Sequence, residues 1–544
     1  MRITNKIMQN NSLSNINLAK VAEDYRSSQV TSGKKIVRPS DDPIVAIRSL
    51  RLRSSVVEIT QYYSRNAKDA DAWLKTTEDA MQQVTEVITD MIKQYDKGAN
   101  EYLTSGNRDI ILEQLKALQE EVYATGDADY AGRYVFTGYR TETSLMFAEN
   151  TKKPYQITEQ FTASDLRTNT FVDTSFKDAG GNWQDLVNLK EGTQSDYTDV
   201  KEQSIEKGEY HRIRLSYKEC EENVLPVIEY NFREGATPDD PPVAQNTLIV
   251  TQSAKSTDVP SPYMVIGQTG HERDVIYLSD TGELLLGKDV YEELSGLVDN
   301  PLTSGANEGE FRVTYQKSEF KDGDLRPEHY FYCIAAGDDG TLSSTPVAPD
   351  AANDLVYNPD YLKHGKDRQV IEYDVGFNQR LQVNTIAEEC FNPSVTREVD
   401  DMVQALEKMK KVEDVVTALK GMLDKETDPA KQKELKDQLD AANKALTYER
   451  QVVQTKFKGG ITVMQGFLDE VNVAVTSCGA RSSRLELVSS RLSSTKATFD
   501  TLKSENEDVD LSEAVVQLTS AEMTYEAALK ATGKIMQVNL MDFI

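Results

Sequence analysis

LELVSSRLSSTKATFDTLK, residues 485–503, places Leu485, Leu492 and Phe499 at intervals of seven, with Val488, Thr495 and Leu502 three residues behind each. Two rows at this spacing form the apolar seam of a helix that packs along another helix, not the wider stripe of a helix lying on a globular core. The pattern resumes beyond a break at Asp508–Asp510. There Leu511, Leu518 and Tyr525 run at sevens, with Val515, Leu529, Met536, Leu540 and Phe543 beside them and Glu522 as a charged intrusion. This reading predicts a second, terminal helix whose seam needs a partner.

Working outward, the other end of the chain supplies a candidate. Ile3 and Ile7 share a helical face, and Leu18, Val21 and Tyr25 continue a similar stripe until Gly33, a residue suited to ending a helix. Asp41 or Asp42 then stands ready to cap a helix beginning at Pro43, whose missing N–H costs nothing in a first turn. From there Leu52, Val56, Ile59, Tyr63, Ala70, Leu74, Thr77, Met81, Val84, Ile88, Met91 and Tyr95 recur by threes, fours and sevens. Such a run predicts a helix on the order of 75 Å long. A shorter helix is expected over about 107–125, carrying Ile111, Leu115, Leu118 and Val122, followed by a strand at 134–139. Helix returns near 396 with Val399, Met402, Leu406, Met409 and Val412. A charged helical hairpin is expected at 412–460, broken at Asp428-Pro429, with a bend at Gly459-Gly460.

The middle differs. Ile213, Leu215 and Tyr217 alternate, as do Phe311, Val313 and Tyr315, and Asp280-Thr281-Gly282 separates two apolar runs as a hairpin turn would. The fold class is therefore α+β: a long antiparallel, coiled-coil helical rod made from both termini, with a central antiparallel β domain. The expected division is 1–42 with 505–544 as terminal polymerisation helices, 43–145 with 395–504 as the rod, and 146–394 as the outer β-rich region.

The chain has 544 residues, 61 basic against 89 acidic, and a net charge of −28. Such a surface argues against nucleic acid, which needs a basic stripe. Residues 1–60 nevertheless carry a net +5, which suits docking against acidic neighbours. No apolar run is long enough to span a membrane, and the start lacks the apolar stretch of a cleavable signal.

Chemistry is not indicated. The four cysteines lie far apart without a CxxC, and His211, His271, His329 and His364 have no metal-ligand spacing. Asp338-Asp339-Gly340 lacks the rest of a calcium loop, and there is no phosphate-binding glycine motif. The expectation is no catalytic, cofactor or metal site. The candidate functional residues are instead an assembly seam: Ile3, Ile7, Leu18, Val21, Tyr25, Leu511, Val515, Leu518, Tyr525, Leu529, Met536, Leu540 and Phe543. Terminal helices with so much unpartnered apolar surface are expected to stay largely disordered in the monomer and to order on assembly.

Several stretches resemble a known family. TSGKKIVRPSDDP (31–43), GRYVFTGYRT (132–141), VIEYDVGFNQRLQVNT (370–385), AEMTYEAALKAT (521–532) and the ending NLMDFI are similar, in order and placement, to the flagellin superfamily of bacterial flagella. Within it they resemble the junction proteins more than filament flagellin. The resemblance covers about 1–145 and 370–544, and the region 150–368 is larger than a minimal junction protein needs. It implies a structural role between hook and filament, with further copies of the chain, hook-associated protein 1, flagellin and a cytoplasmic export chaperone as partners. It also implies secretion to the flagellum by type III export without a cleaved signal peptide, and no enzymatic activity. Rival readings are a filament flagellin, an adhesin-like module in the β region using residues such as Tyr330, Phe331 and Tyr332, and an enzyme within the insert.

Overall fold

The computed structural model describes residues 5–100, 105–178, 180–190, 200–233, 242–298, 309–337, 342, 354–363 and 369–537. Its helices are α1 (Asn5–Ser32), α2 (Pro43–Gln61), α3 (Ala67–Gly98), α4 (Ser105–Thr125), the short α5 (Pro262–Val265) and α6 (Lys288–Ser295), α7 (Ser394–Lys425), α8 (Pro429–Glu507) and α9 (Leu511–Gln537). The chain forms two compact units. One contains Met1–Asp71, Tyr373–Leu381 and Ser482–Ile544; the other contains Ala72–Glu372 and Gln382–Arg481.

In the smaller unit the punctuation falls where the residues direct it. Gly33 takes φ +68° and its N–H bonds the Gln29 carbonyl, closing α1 as a left-handed C-terminal residue does. Asp42 caps α2 by accepting from the N–H groups of Ile44 and Val45, with Pro43 in the first turn. A π turn, Tyr62–Asn66, follows α2, and the Asn66 amide donates to the Asp374 carbonyl at 2.8 Å. Asp510 starts α9 by accepting from Ser512 and Glu513.

The larger unit sets α3, α4, α7 and α8 with a β region. Along α3, Leu74, Thr77, Met81, Val84, Ile88, Met91 and Tyr95 are all buried, and so are Val453, Phe457, Met464, Phe467, Val471, Ala474 and Cys478 on α8. These positions alternate by threes, fours and sevens on both helices, which is what a coiled-coil seam requires. α3 and α8 run antiparallel: the Cys478 thiol reaches the Leu74 carbonyl, while at the other end the Tyr95 and Phe457 rings meet edge-on with centroids 6.0 Å apart. All four cysteines are buried thiols.

Gly459 and Gly460 lie inside α8 and make no bend. Gly460 faces α3, where any Cβ would overlap the Tyr95 ring; Gly459 faces open space. Gly98 meets the Phe457 ring in the same way, so each helix gives up a side chain to admit the other's aromatic ring. Gly459→Ala is therefore expected to stabilise this unit by about 0.5–1 kcal/mol, the ordinary gain of alanine within a helix. Gly460→Ala is expected to cost about 1–3 kcal/mol through overpacking. Thermal melts of the two variants, read side by side, check the opposite signs.

The strands are β1 (Asp129–Tyr130), β2 (Arg133–Tyr134), β3 (Tyr155–Thr162), β4 (Arg167–Asp173), β5 (Ser175–Lys177), β6 (Trp183–Asp185), β7 (Glu206–Arg214), β8 (Val227–Arg233), β9 (Val243–Ile249), β10 (Gln252–Ala254), β11 (Val275–Leu278), β12 (Glu283–Leu286), β13 (Glu310–Lys317), β14 (Tyr332–Ala335), β15 (Leu355–Tyr357), β16 (Glu372–Gly376) and β17 (Gln379–Gln382). A six-stranded sheet in the order β15-β14-β3-β13-β8-β9 is antiparallel throughout. A five-stranded sheet in the order β10-β11-β12-β7-β4 contains one parallel pair, β10 with β11. The connection between those two strands is long and carries α5, as a parallel crossover demands.

The β11–β12 hairpin turns at 280–282. Gly282 has φ +65°, and a Cβ there would strike the Tyr217 carbonyl. β7 ends at Arg214, short of the alternation that runs to Tyr217, because the chain beyond it passes over this turn and Leu215 donates to the Gly282 carbonyl at 3.0 Å. Residues 134–139 are mostly turn instead of strand. Gly138 takes φ +60°, and Phe136 is drawn inward against Phe391 at 4.8 Å.

One polar cluster joins this sheet to the helices. Arg212 and Arg214 on β7 both pair with Glu283 on β12 and with Asp401 on α7, and all four side chains are at least nine-tenths buried. The two arginines, lying beside both carboxylates, hold Glu283 and Asp401 below the usual carboxylate range against the opposing effect of burial.

Candidate assembly surface

α1 and α9 pack together in the smaller unit. Their mutual faces consist largely of small or polar residues. On α9, Ala514, Leu518, Ala521, Tyr525, Ala528 and Thr532 are buried or half-buried at alternating spacings of four and three. On α1, Ser12, Ile16, Ala19, Glu23, Arg26 and Val30 are half-buried at the same spacing. Small residues let the helices approach but bury little apolar area.

Most of the larger apolar side chains point elsewhere. On α1, Ile7 and Leu13 are exposed, and Leu18 and Val21 are 67% and 65% accessible. On α9, Leu511, Val515, Val516, Met523 and Leu529 are exposed. The sequence-predicted seam is thus divided. Leu518, Tyr525 and Tyr25 turn inward, and the Tyr25 hydroxyl donates to the Lys35 carbonyl at 3.1 Å. Ile7, Leu18, Val21, Leu511, Val515 and Leu529 face outward. Ile3, Leu540 and Phe543 lie outside the described residues, as does the side chain of Met536. The α2 stripe Ile44, Ile47, Leu50 and Val57 adds further exposed apolar surface in the same unit.

A polar clasp holds the base of the pair. Glu507 ends α8, and its carboxylate is only 4% accessible. It accepts from Arg53 Nε at 2.6 Å and Nη2 at 2.7 Å, from the Ser49 hydroxyl, and from Lys34 Nζ at 3.4 Å. Lys34 also pairs with Asp508. The backbone joins in: Lys35 N–H donates to the Glu507 carbonyl at 2.7 Å, and Val509 N–H to the Gly33 carbonyl at 3.0 Å. The loop at 31–43 therefore grips the α8–α9 junction. Nothing local in the sequence pairs residues so far apart, so this clasp was not legible there. The alanines at 514, 521 and 528 were legible as a row of sevens but lack the bulk that draws attention to a seam.

The Arg53 hydrogen bonds, reinforced by Ser49 and Lys34, hold the Glu507 carboxyl down at about 2. A depressed carboxylate contributes stability that is full above its unfolded value, near 4.3, and is lost as pH falls through that range toward 2. The shift corresponds to roughly 3 kcal/mol. Arg53 and Lys34 are 54% and 39% accessible, so solvent screening reduces it. A net contribution of about 1–2 kcal/mol remains. Glu507→Gln is expected to lower the stability of the smaller unit by that amount at pH 7, and the gap to the unmodified chain should close by pH 2. Denaturation curves at the two pH values measure both effects.

The polar residues singled out in the sequence serve structural roles. His211 stacks on Tyr291 at 3.7 Å, His271 bonds Asp274 at 2.6 Å, and buried His329 contacts the Ser144 carbonyl at 3.0 Å; His364 lies outside the described residues. Tyr330 and Phe331 are buried in the β region. Among the described residues no group of histidine, cysteine or acidic side chains is placed to hold a metal, and no helix is long and apolar enough to cross a membrane.

Comparison with known proteins bears on the two ends. The family model described as the bacterial flagellin N-terminal helical region matches residues 3–141, and that of the C-terminal helical region matches residues 461–544. Flagellar hook-associated protein 3 of Escherichia coli is 26% identical over 153 residues, which are 28% of this chain and 48% of that protein. The protein of the same name from Salmonella typhimurium is 26% identical over 145 residues, 26% of this chain and 45% of that protein. The chain thus spans about half the length of the curated relatives it matches. FlgL of Xanthomonas campestris aligns with 84% of this chain and 99% of its own at 11% identity, with a TM-score of 0.26. The two ends of the chain therefore carry the N- and C-terminal helical regions of bacterial flagellin, and the curated proteins they resemble are flagellar hook-associated protein 3.

Proposed function

We propose that the chain is a structural subunit of the bacterial flagellum that joins hook to filament, assembling through its terminal helices. The observation that carries this reading is the arrangement of α1 and α9. They pair through small residues and turn Ile7, Leu18, Val21, Leu511, Val515 and Leu529 outward, at the two ends of the chain that the flagellin family models match. Tyr25, Leu518 and Tyr525 support this face from within. The seam we propose also takes in Ile3, Leu540 and Phe543, which lie outside the described residues, and Met536, whose side chain does. An exposed apolar face of this extent calls for partners. Those partners are further copies of the chain, hook-associated protein 1 on one side and flagellin on the other, with a cytoplasmic chaperone covering the C-terminal helix before export. A heterologous, head-to-tail contact between copies generates rings or helical assemblies, as such a junction needs. The protein reaches the flagellum by type III export. Imaging flagella from cells that lack the gene tests the reading. Hooks without filaments are expected, with a tagged copy restoring filaments and lying at their base. Normal filaments in the deletion strain, or a tag distributed along the filament, would overturn it.

A further inference from the structure

We propose that the larger unit binds a small oxyanion in the cavity bordered by Tyr95, Lys207 and Lys456. The cavity has a volume of about 470 Å³ and lies where β4 and β7 face α3, α7 and α8. Tyr95 is only 1% accessible, yet its hydroxyl has no hydrogen-bond partner among the described residues. A buried hydroxyl left in this state is destabilising. It calls for a polar group that the described residues do not supply.

The charges around the cavity indicate which kind of group. The Arg212, Arg214, Glu283 and Asp401 quartet is balanced in itself. Arg167, on the wall, is taken up by Glu398. Two cations are left in excess. Lys456 Nζ comes no nearer than 3.9 Å to Asp401, a carboxylate already engaged by both arginines. Lys207 rests on the Tyr448 ring at 4.5 Å and on the Gln451 side chain, with no carboxylate pairing among the described residues. Burial pushes the Lys456 ammonium toward losing its proton against the attraction of Asp401, Glu398 and Glu283, and an anion in the cavity would hold that proton in place. Two lysines and a phenolic donor around one cavity suit the oxygens of a phosphate or of a compact polycarboxylate. A chain with a net charge of −28 has no general affinity for anions, so binding here has to be local.

Thermal unfolding of the full chain in phosphate or citrate, against sodium chloride at equal ionic strength, tests this. A saturable rise in Tm specific to phosphate or citrate is expected. Lys456→Met, Lys207→Met and Tyr95→Phe should each weaken the apparent affinity at least tenfold. Lys207 is exposed and its replacement leaves the fold intact. Tyr95→Phe removes the unpartnered hydroxyl, so its Tm in chloride should equal or exceed that of the unmodified chain. If Tm shows no anion-specific rise, or if the rise is undiminished in Lys207→Met and Tyr95→Phe, the proposal is overturned.

Discussion

Replacing Leu18 and Val21 together by glutamate is expected to abolish assembly of the chain while leaving α1 and α9 paired. Both side chains are about two-thirds accessible in the single chain, so neither supports the smaller unit from within. Buried against a neighbouring copy, each would contribute about 1.5–3 kcal/mol. Losing both weakens every such contact by more than a hundredfold, before the cost of burying two new carboxylates. Sedimentation and electron microscopy report the assembly, and the circular dichroism spectrum reports the fold. Ala521→Glu is the contrasting variant. It places a charge on the inner face, so it should disturb the helix pair itself. A Leu18→Glu, Val21→Glu double variant that assembles as readily as the unmodified chain would remove the outward face from the mechanism.

The second large effect lies in the β region. Asp401→Asn is expected to destabilise the larger unit by about 3–5 kcal/mol, because it leaves Arg212 and Arg214 buried with Glu283 as their sole carboxylate in the quartet. Acid should act in the same direction. Both carboxylates are depressed, so their contribution is complete above the usual carboxylate range and declines as pH falls below it. Chemical denaturation at pH 7 and at pH 2 measures the two effects. An Asp401→Asn variant within about 1 kcal/mol of the unmodified chain would show that solvent reaches the quartet and screens it.

What could be read from the residues follows the range of the physics involved. Helix ends depend on neighbours in sequence, and Asp42-Pro43, Gly33, Asp428-Pro429 and Asp510 all mark them correctly. The α3 seam was equally plain, because burial on one face of a long helix repeats many times. Other features are fixed by distant partners. Gly459-Gly460 suggests a bend until Tyr95 is seen lying against it. Residues 134–139 carry strand-forming side chains, but Phe391 draws Phe136 inward and the chain turns. The terminal seam shows a subtler limit. On α9 the rows 511/518/525 and 514/521/528 both recur at seven, and spacing alone does not say which faces a helix of the same chain. The structure divides the first row: Leu518 and Tyr525 turn inward beside the alanines, and Leu511 stays outside.

The small size of those alanines has a consequence for how the chain responds to its surroundings. A pair held mostly by small residues, with Ile16, Val30, Leu518 and Tyr525 only half-buried, gains little desolvation when it closes on its own, and in the proposed assembly its outward side chains gain only when other copies arrive. The order of the two ends is therefore a function of crowding more than of temperature. In the assembly proposed above, the alanines of α9 leave the two ends of a dilute chain loosely closed, and the leucines beside them hold the same chain once it is set among its neighbours.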